Sequence, residues 1–462
     1  MKKIALILSV LVIAIIIAAP RLLGFQAWNI PAAIDMATGM GAKLACSSRY
    51  ITGLSAEQAK ADIVSYSAAA ALLELSYDKH TKTVTSTFQG LAEKKAQYRD
   101  GQGCSLLLGD TTQLDTVKVQ AVSASDNEWP VGEAVTSTNE RIQTITNDQL
   151  NKDNDKGLQT RALLVIKDGQ IVAESYADGY NAESKLLGWS MGKSVTAMML
   201  GRLDTIKGVD FQQTNLFDDW KNDERKNINL VHLLQMSSGL DFDEPYVPGS
   251  DSTKMLFTAH SASDVALKSD LAHAPSEHFY YSSGTTNLLA RWLHDELGGN
   301  AQAMMDFTYQ EFFAPLHMAH SIFETDSSGV LVGSSYLYAS ARDWGRMAQV
   351  LLNDGQWNGE TFISADWIKK ASSANTSNND GRYGYQFWLN AGNENDELRW
   401  PDLPTDTYAM QGNRHQRVFM MPTENTAIIR LGWSSDEYPV NDNFAEILAA
   451  LNAGQTNIDL AK

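Results

Sequence analysis

The chain has 462 residues, of which 44% are hydrophobic and 9% aromatic, which is enough apolar side chain to bury a large core. It carries 55 Asp and Glu against 37 Lys and Arg, a formal net charge of -18, and this balance argues against nucleic-acid binding. The sequence contains no His-Glu-x-x-His pattern and no cysteine cluster. We therefore expect no metal and no other cofactor.

The N-terminus combines positive charge with a long apolar run. Two lysines precede residues 4–19, which are apolar except for Ser9. At about 1.5 Å per residue a helix of this length falls slightly short of the ~30 Å hydrocarbon core, and residues 22–25 can extend it. We predict a transmembrane signal anchor over residues 1–25, which holds the protein at the inner membrane with the rest of the chain in the periplasm. A cleaved signal peptide that releases a secreted protein is the alternative.

The two cysteines, Cys46 and Cys104, are the only ones in the chain. They flank a segment that we expect to be helical from Ser55 to Leu75 and strand-like from Thr81 to Leu108. Thiols of exported proteins meet an oxidising compartment. We therefore predict a disulfide that closes a small α/β module over residues 30–115, with two buried free thiols as the alternative.

Residues 116–158 are polar, and the stretch 147–155 has the composition of a loop. We interpret this region as a linker and lead-in to a second domain, residues 159–455. The first element expected in that domain is a β-hairpin over residues 163–172, in which an Asp-Gly turn joins two apolar runs.

Ser190 and Lys193 form a Ser-x-x-Lys sequence where a buried helix is expected to begin. Residues three apart share one face of a helix, so the Lys193 amine can reach the Ser190 hydroxyl. The positive end of the helix dipole favours an alkoxide, and partial desolvation disfavours a protonated lysine. The pair therefore predicts a nucleophile and its general base, as acyl transfer requires.

A second Ser-x-x-Lys sequence runs from Ser76 to Lys79. It follows the alanine-rich run of residues 68–75 and precedes a threonine-rich, strand-like pattern. We interpret Ser76 as the end of a helix, without a catalytic role.

Three segments in a fixed order carry a family resemblance: Ser190–Lys193, Ile228–Leu240 and Phe279–Ser283. The order resembles that of the class C β-lactamase-related serine hydrolases, which include penicillin-binding carboxypeptidases, family VIII esterases and 6-aminohexanoate-dimer hydrolases. The resemblance covers residues 161–451. It implies a β-lactamase/transpeptidase-like α+β fold, with an antiparallel sheet flanked by helices and a mostly helical subdomain. In this chain the small N-terminal module and the transmembrane helix come before it.

The family's second motif, Tyr-x-Asn, is matched by Tyr281 to Ser283. The resemblance implies that the Tyr281 phenol relays protons. Ser283 stands where the family has asparagine, at a substrate-binding position. A hydroxyl cannot replace both the donor and the acceptor of an amide, which argues against efficient β-lactam turnover.

The third motif is matched by residues 408–422. Here the resemblance implies that Gly412 lets the backbone pass close to the substrate and that the N–H groups of Asn413 and Ser190 form an oxyanion hole. His415 stands where glycine is usual. It is either a further substrate-binding residue or a turn residue that faces solvent.

Together these features predict a membrane-anchored periplasmic serine hydrolase. It would cleave a small-molecule ester or amide through an acyl-enzyme on Ser190, with Lys193 and Tyr281 as general base and acid. A catalytically silent module that binds a ligand as a sensor is the alternative. The acidic loops 241–246 and 390–407 are interpreted as solvated, with a preference for a cationic substrate as the alternative. The sequence leaves the acyl group and the oligomeric state open.

Overall fold

The computed structural model describes residues 27–393 and 395–459. The predicted transmembrane segment, residues 1–25, lies outside them. Within the described residues, no helix combines the length and the apolar character needed to span a bilayer.

The N-terminal part of the described chain packs helices against a four-stranded antiparallel sheet. The elements are α1 (Ile30–Ser47), α2 (Ala56–Val64), β1 (Leu73–Asp78), β2 (Thr83–Phe88), β3 (Glu93–Arg99) and β4 (Gly103–Leu106). The strands follow each other in the order β1-β2-β3-β4, and α1 lies against β2 and β3.

The predicted disulfide between Cys46 and Cys104 is confirmed, and it joins α1 to β4 with 6.1 Å between the two Cα atoms. The helical interpretation of Ser76 is wrong, because this serine lies exposed in strand β1. Burial along β1 alternates from residue to residue, with Leu73 and Leu75 turned inward. This period of two, which is typical of a strand, outweighs the helix propensity of the preceding alanines.

The rest of the chain forms an α+β structure around a six-stranded antiparallel sheet of order β12-β13-β14-β15-β5-β6. Its elements in chain order are α3 (Glu140–Asp155), β5 (Thr160–Lys167), β6 (Gln170–Tyr176), β7 (Leu186–Leu187), α4 (Met191–Lys207), α5 (Leu230–Leu234), α6 (Asp251–Phe257), α7 (Ser263–Leu267), α8 (Ser283–Glu296), α9 (Ala301–Asp306), β8 (Ser321–Phe323), β9 (Leu337–Ala339), α10 (Ala341–Leu352), β10 (Gln356–Trp357), β11 (Glu360–Thr361), α11 (Ala365–Ala371), β12 (Trp388–Leu389), β13 (Tyr408–Gly412), β14 (Gln416–Met421), β15 (Thr426–Gly432) and α12 (Val440–Asp459).

Helices cover both faces of the six-stranded sheet. On β5, Leu163 and Val165 belong to the hydrophobic cluster that includes residues of α12, whereas Leu164 and Ile166 belong to the cluster that includes residues of α10. A strand that is buried on both faces appears in the sequence as a continuous apolar run, and residues 163–166 of β5 form such a run. The hairpin of β5 and β6 is confirmed, and Asp168 at its turn has a φ of 51°, as a two-residue primed turn requires.

The loop expected at residues 147–155 is wrong, because α3 occupies Glu140–Asp155. The Asn139 side chain caps this helix by accepting from the N–H groups of Arg141 and Ile142. The helix packs on β5 and β6 although much of its buried face is polar. Asp153 on that face accepts a hydrogen bond from the Thr160 hydroxyl at 2.7 Å, so the polar groups are satisfied inside the protein.

A buried ion pair joins the N-terminal part to the larger α+β part of the chain. Lys43 on α1 pairs with Glu324, which follows β8, and both side chains are at most 2% exposed. Burial is the main influence on each group, lowering the pKa of Lys43 and raising that of Glu324. Glu324 also accepts from the Ser47 hydroxyl at 2.8 Å and from the Cys104 N–H at 2.6 Å. One carboxylate therefore holds α1, the disulfide and the β8 region together.

Removal of this carboxylate is expected to destabilise the protein strongly. Glu324→Ala leaves the Lys43 amine buried without its partner, and we expect the free energy of unfolding to fall by about 3–5 kcal/mol in urea titrations. Glu93→Ala serves as the control, because its ion pair with Lys95 is exposed and contributes at most about 1 kcal/mol. Equal losses in the two variants would contradict this account.

Candidate active site

Ser190 lies at the start of α4, on a turn whose backbone is strained. The preceding residue, Trp189, has a φ of 48°, in the left-handed region that side chains other than glycine seldom adopt. The Trp189 ring is buried against Tyr66, Tyr336 and Trp433, with centroid distances of 6.1, 6.1 and 6.3 Å. This packing holds the unfavourable conformation and fixes the position of the Ser190 hydroxyl.

Lys193 lies one helical turn further on, and its Nζ atom is 3.0 Å from Ser190 Oγ. The amine also donates to the Ser283 hydroxyl at 2.9 Å and to the Ser334 carbonyl at 3.3 Å. Burial lowers the pKa of Lys193 to about 8, against the opposing effect of Glu244. Far more of this amine is neutral near pH 7 than in an exposed lysine, so it can accept a proton from Ser190.

Tyr281 lies just before Ser282, the N-cap of α8, and brings a phenol to the same place. Its hydroxyl interacts with the Ser190 side chain. The ring stacks on Trp388 with 5.2 Å between centroids, and Lys193 Nζ lies 4.9 Å from the Tyr281 ring centroid. Burial raises the pKa of Tyr281, so the phenol keeps its proton at neutral pH and can donate it. A hydroxyl, an amine and a phenol from distant parts of the chain thus share one site.

Ser283 links Lys193 to a carboxylate. Its hydroxyl accepts from Lys193 and donates to Glu244 Oε1 at 2.7 Å, while its N–H donates to Glu244 Oε2 at 2.6 Å. The Tyr246 hydroxyl lies 3.1 Å from the same Ser283 oxygen. Burial raises the pKa of Glu244, and the nearby Lys193 and Ser283 oppose that rise.

Glu244 is absent from the residues predicted from sequence. It belongs to the acidic loop 241–246, and the solvated interpretation is wrong for this side chain, which is hydrogen-bonded to Ser283 and only partly exposed. Acidic composition does not tell which carboxylate of a loop turns inward, because that depends on contacts with α8.

The third predicted motif lies beside the nucleophile. A Cβ atom on Gly412, the last residue of β13, would stand 2.1 Å from the Gly188 carbonyl oxygen, so only glycine fits. This close approach brings the end of β13 next to the turn that carries Ser190. Asn413 follows directly and is exposed.

His415 has different neighbours. Its Nδ1 atom is 2.8 Å from an Arg417 nitrogen and its Nε2 atom is 3.9 Å from Glu437. Burial, followed by the charges of Arg417 and Arg430, lowers the pKa of His415 to about 4, so the ring is neutral. Only 17% of the His415 side chain is exposed, so it is not a turn residue that faces solvent, and its substrate-binding role stays a prediction.

Comparison with known proteins agrees with this geometry. Residues 146–453, the larger part of the chain, match the β-lactamase family. The chain belongs to the β-lactamase family, which supports a serine hydrolase that works through an acyl-enzyme in general. Residues before 146, which include the disulfide-closed part, lie outside the match.

Individual relatives are distant in sequence. The 6-aminohexanoate-dimer hydrolase of Paenarthrobacter ureafaciens is 20% identical over 59% of this chain and 72% of its own length. A structure from Bacillus anthracis, described as a 6-aminohexanoate-dimer hydrolase, has a TM-score of 0.57 at 16% identity and covers 75% of this chain and 93% of its own. A β-lactamase-like crystal structure from Bacteroides dorei has a TM-score of 0.54 at 16% identity, with 66% and 98% covered. At these identities the structural likeness shows the fold alone.

The charge of Glu244 is expected to set the pKa of Lys193. Glu244→Gln removes the carboxylate that favours the ammonium form but keeps one acceptor oxygen for Ser283, so the pKa of Lys193 should fall below about 8. An NMR pH titration of ¹³C-labelled lysine measures this pKa. Asp243→Asn, which removes the exposed neighbouring charge, is the control and should leave it nearly unchanged. An unchanged or raised Lys193 pKa in Glu244→Gln would show that Glu244 does not act on this amine.

Proposed function

We propose that this protein cleaves an ester or amide bond of a small molecule through an acyl-enzyme on Ser190. The observation that carries the proposal is the 3.0 Å contact between Ser190 Oγ and Lys193 Nζ, in which the amine is buried and has a pKa of about 8. Such an amine is basic enough to take the serine proton and is neutral often enough to do so.

Acylation follows from the positions of the three side chains. Ser190 Oγ attacks the carbonyl carbon of the substrate while its proton passes to Lys193. The oxyanion that forms accepts hydrogen bonds from the N–H groups of Ser190 and Asn413. Tyr281 then gives its proton to the departing alcohol or amine and regains one from Lys193, so the leaving group departs neutral.

Deacylation uses the same groups in the opposite direction. A water molecule attacks the acyl carbon and loses its proton to the neutral Lys193 amine. The bond to Ser190 Oγ then breaks as Tyr281 donates its proton to that oxygen and regains one from Lys193. Glu244 stabilises the ammonium form of Lys193 during both steps, because its carboxylate lies on the other side of the Ser283 hydroxyl.

A short linear amide and a small ester are the substrates that we propose. The name of the relative from Paenarthrobacter ureafaciens specifies a 6-aminohexanoate dimer, which supports a linear amide. Ser283 supports the same choice, because a hydroxyl committed to Lys193 and Glu244 cannot offer the paired donor and acceptor of an asparagine amide to a β-lactam.

The second Ser-x-x-Lys sequence supplies the control for the nucleophile. We expect a fluorophosphonate to label the wild-type chain once and p-nitrophenyl acetate to be hydrolysed. Ser190→Ala should abolish the label and lower turnover at least ~10³-fold. Ser76→Ala should behave as the wild type, since Ser76 is exposed on β1. Equal labelling of both variants refutes the assignment, and a folded wild-type chain without label supports the silent ligand-binding alternative.

We also propose that residues 1–25 anchor the protein in the inner membrane with its catalytic region in the periplasm. The two lysines before the apolar run support this orientation. The Cys46–Cys104 disulfide supports export, because disulfides persist in oxidising compartments.

Fractionation of expressing cells tests the anchor. The full chain should remain in the membrane pellet after carbonate extraction, become accessible to protease in spheroplasts, and move to the soluble fraction when residues 2–25 are deleted. A soluble full-length chain of unchanged mass contradicts the anchor. A shortened soluble chain identifies signal cleavage instead.

A further inference from the structure

A segment of the N-terminal part reaches the active site, although it lies before the residues that match the β-lactamase family. Asp62, on α2, accepts two hydrogen bonds from Arg161 on β5, at 2.6 and 2.7 Å. Trp433 Nε1 donates to the Asp62 carbonyl and to the Ser65 hydroxyl, both at 3.1 Å. These contacts fix the end of α2 to the six-stranded sheet and set the position of the next residue, Tyr66.

Tyr66 contacts both sides of the proposed oxyanion hole. Its ring meets Trp189 edge-on, with 6.1 Å between centroids and an interplanar angle of 77°. Its hydroxyl donates to Asn413 Oδ1 at 3.0 Å, and the Arg414 guanidinium lies 3.9 Å from its ring centroid. Trp189 precedes Ser190 in the chain, and Asn413 follows β13. One side chain thus contacts both turns whose N–H groups would hold the oxyanion.

Each of these two turns contains a residue in an unfavourable backbone conformation. Trp189 has a φ of 48° and Arg414 a φ of 59°, so each holds a residue other than glycine in the left-handed region. Such conformations persist only where surrounding contacts favour them over relaxed alternatives. Tyr66 contacts both of these residues directly. Burial raises the pKa of Tyr66, so its hydroxyl remains a donor to Asn413 throughout the range in which Lys193 titrates.

We propose that Tyr66 is a positioning residue of the acyl-transfer site, which holds the turns at Trp189 and Asn413 so that the N–H groups of Ser190 and Asn413 face the carbonyl oxygen. The N-terminal part of the chain therefore completes the active site. This inference rests on the proposed function, because it assigns Tyr66 a role in the reaction of Ser190.

Conservative and non-conservative variants separate positioning from folding. Tyr66→Phe keeps the ring and loses the hydroxyl, and we expect the rate of Ser190 labelling by a fluorophosphonate and kcat for p-nitrophenyl acetate to fall about 10-fold with KM nearly unchanged. Tyr66→Leu also loses the aromatic contacts, and a fall of about 100-fold is expected. Tyr50→Phe, which loses a hydroxyl bound to the Asp78 carbonyl at 3.2 Å in the same part of the chain, should match the wild type.

A double-mutant cycle identifies the bond through which Tyr66 acts. Asn413→Ala removes the side-chain acceptor but keeps the backbone N–H, so adding Tyr66→Phe to it should cause no further loss. Fully additive losses, or a Tyr66→Phe variant that reacts as fast as Tyr50→Phe, overturn the proposal even if Tyr66→Leu does not fold. A wild-type chain that takes no label rejects the hydrolase itself. A labelled wild type with unaffected Tyr66 variants rejects only the role of Tyr66.

Discussion

The Lys193 amine is held where a positive charge is unfavourable, and the chemistry of the site depends on that burial. Desolvation lowers the pKa of the amine, while the Glu244 carboxylate beyond Ser283 raises it again. Without the carboxylate the amine would be a weaker base, and without the burial it would be protonated at neutral pH. The value of about 8 is the compromise, and it lets one group both take and return a proton.

The backbone around Lys193 serves to bring other groups to this amine. The left-handed conformation of Trp189 directs Ser190 toward it, and the start of α8 brings Tyr281 and Ser283. Gly412 lets β13 come against Gly188, where any side chain would collide with a carbonyl oxygen. The strain at Trp189 is balanced by aromatic packing, as is common where a fold must hold a reactive arrangement.

Local patterns in the sequence were sufficient for the features that depend on neighbours along the chain. Helical spacing predicted the reach of Lys193 to Ser190, and the Asp-Gly turn predicted the β5–β6 hairpin. The disulfide was predicted differently, from the presence of only two cysteines together with the expectation of export. Tyr281 was located through the family resemblance rather than through any local pattern. Its chemistry depends on contacts with residues far away in the chain.

Features that depend on contacts between distant segments were not predicted from the sequence. The helical nature of α3 was hidden because its buried face is polar, and those polar groups find partners such as Thr160 only in the folded chain. Glu244 and Tyr66 were missed for a related reason. A carboxylate in an acidic loop, or a tyrosine at the end of a helix, is ordinary in sequence, and its importance depends on which surface the loop or helix meets.

The attachment of the N-terminal part explains how a segment outside the family match can act inside the active site. Lys43–Glu324 and Asp62–Arg161 are buried ion pairs, and separating either would leave a charge unpaired in a dry environment. Such pairs add little net stability when formed, but they strongly oppose partial opening of the interface. The disulfide constrains the N-terminal side of this contact, since it joins α1 to β4 and Glu324 binds the N–H of Cys104. A rigid interface of this kind can place the Tyr66 hydroxyl reproducibly beside Asn413, which a flexible tether could not do.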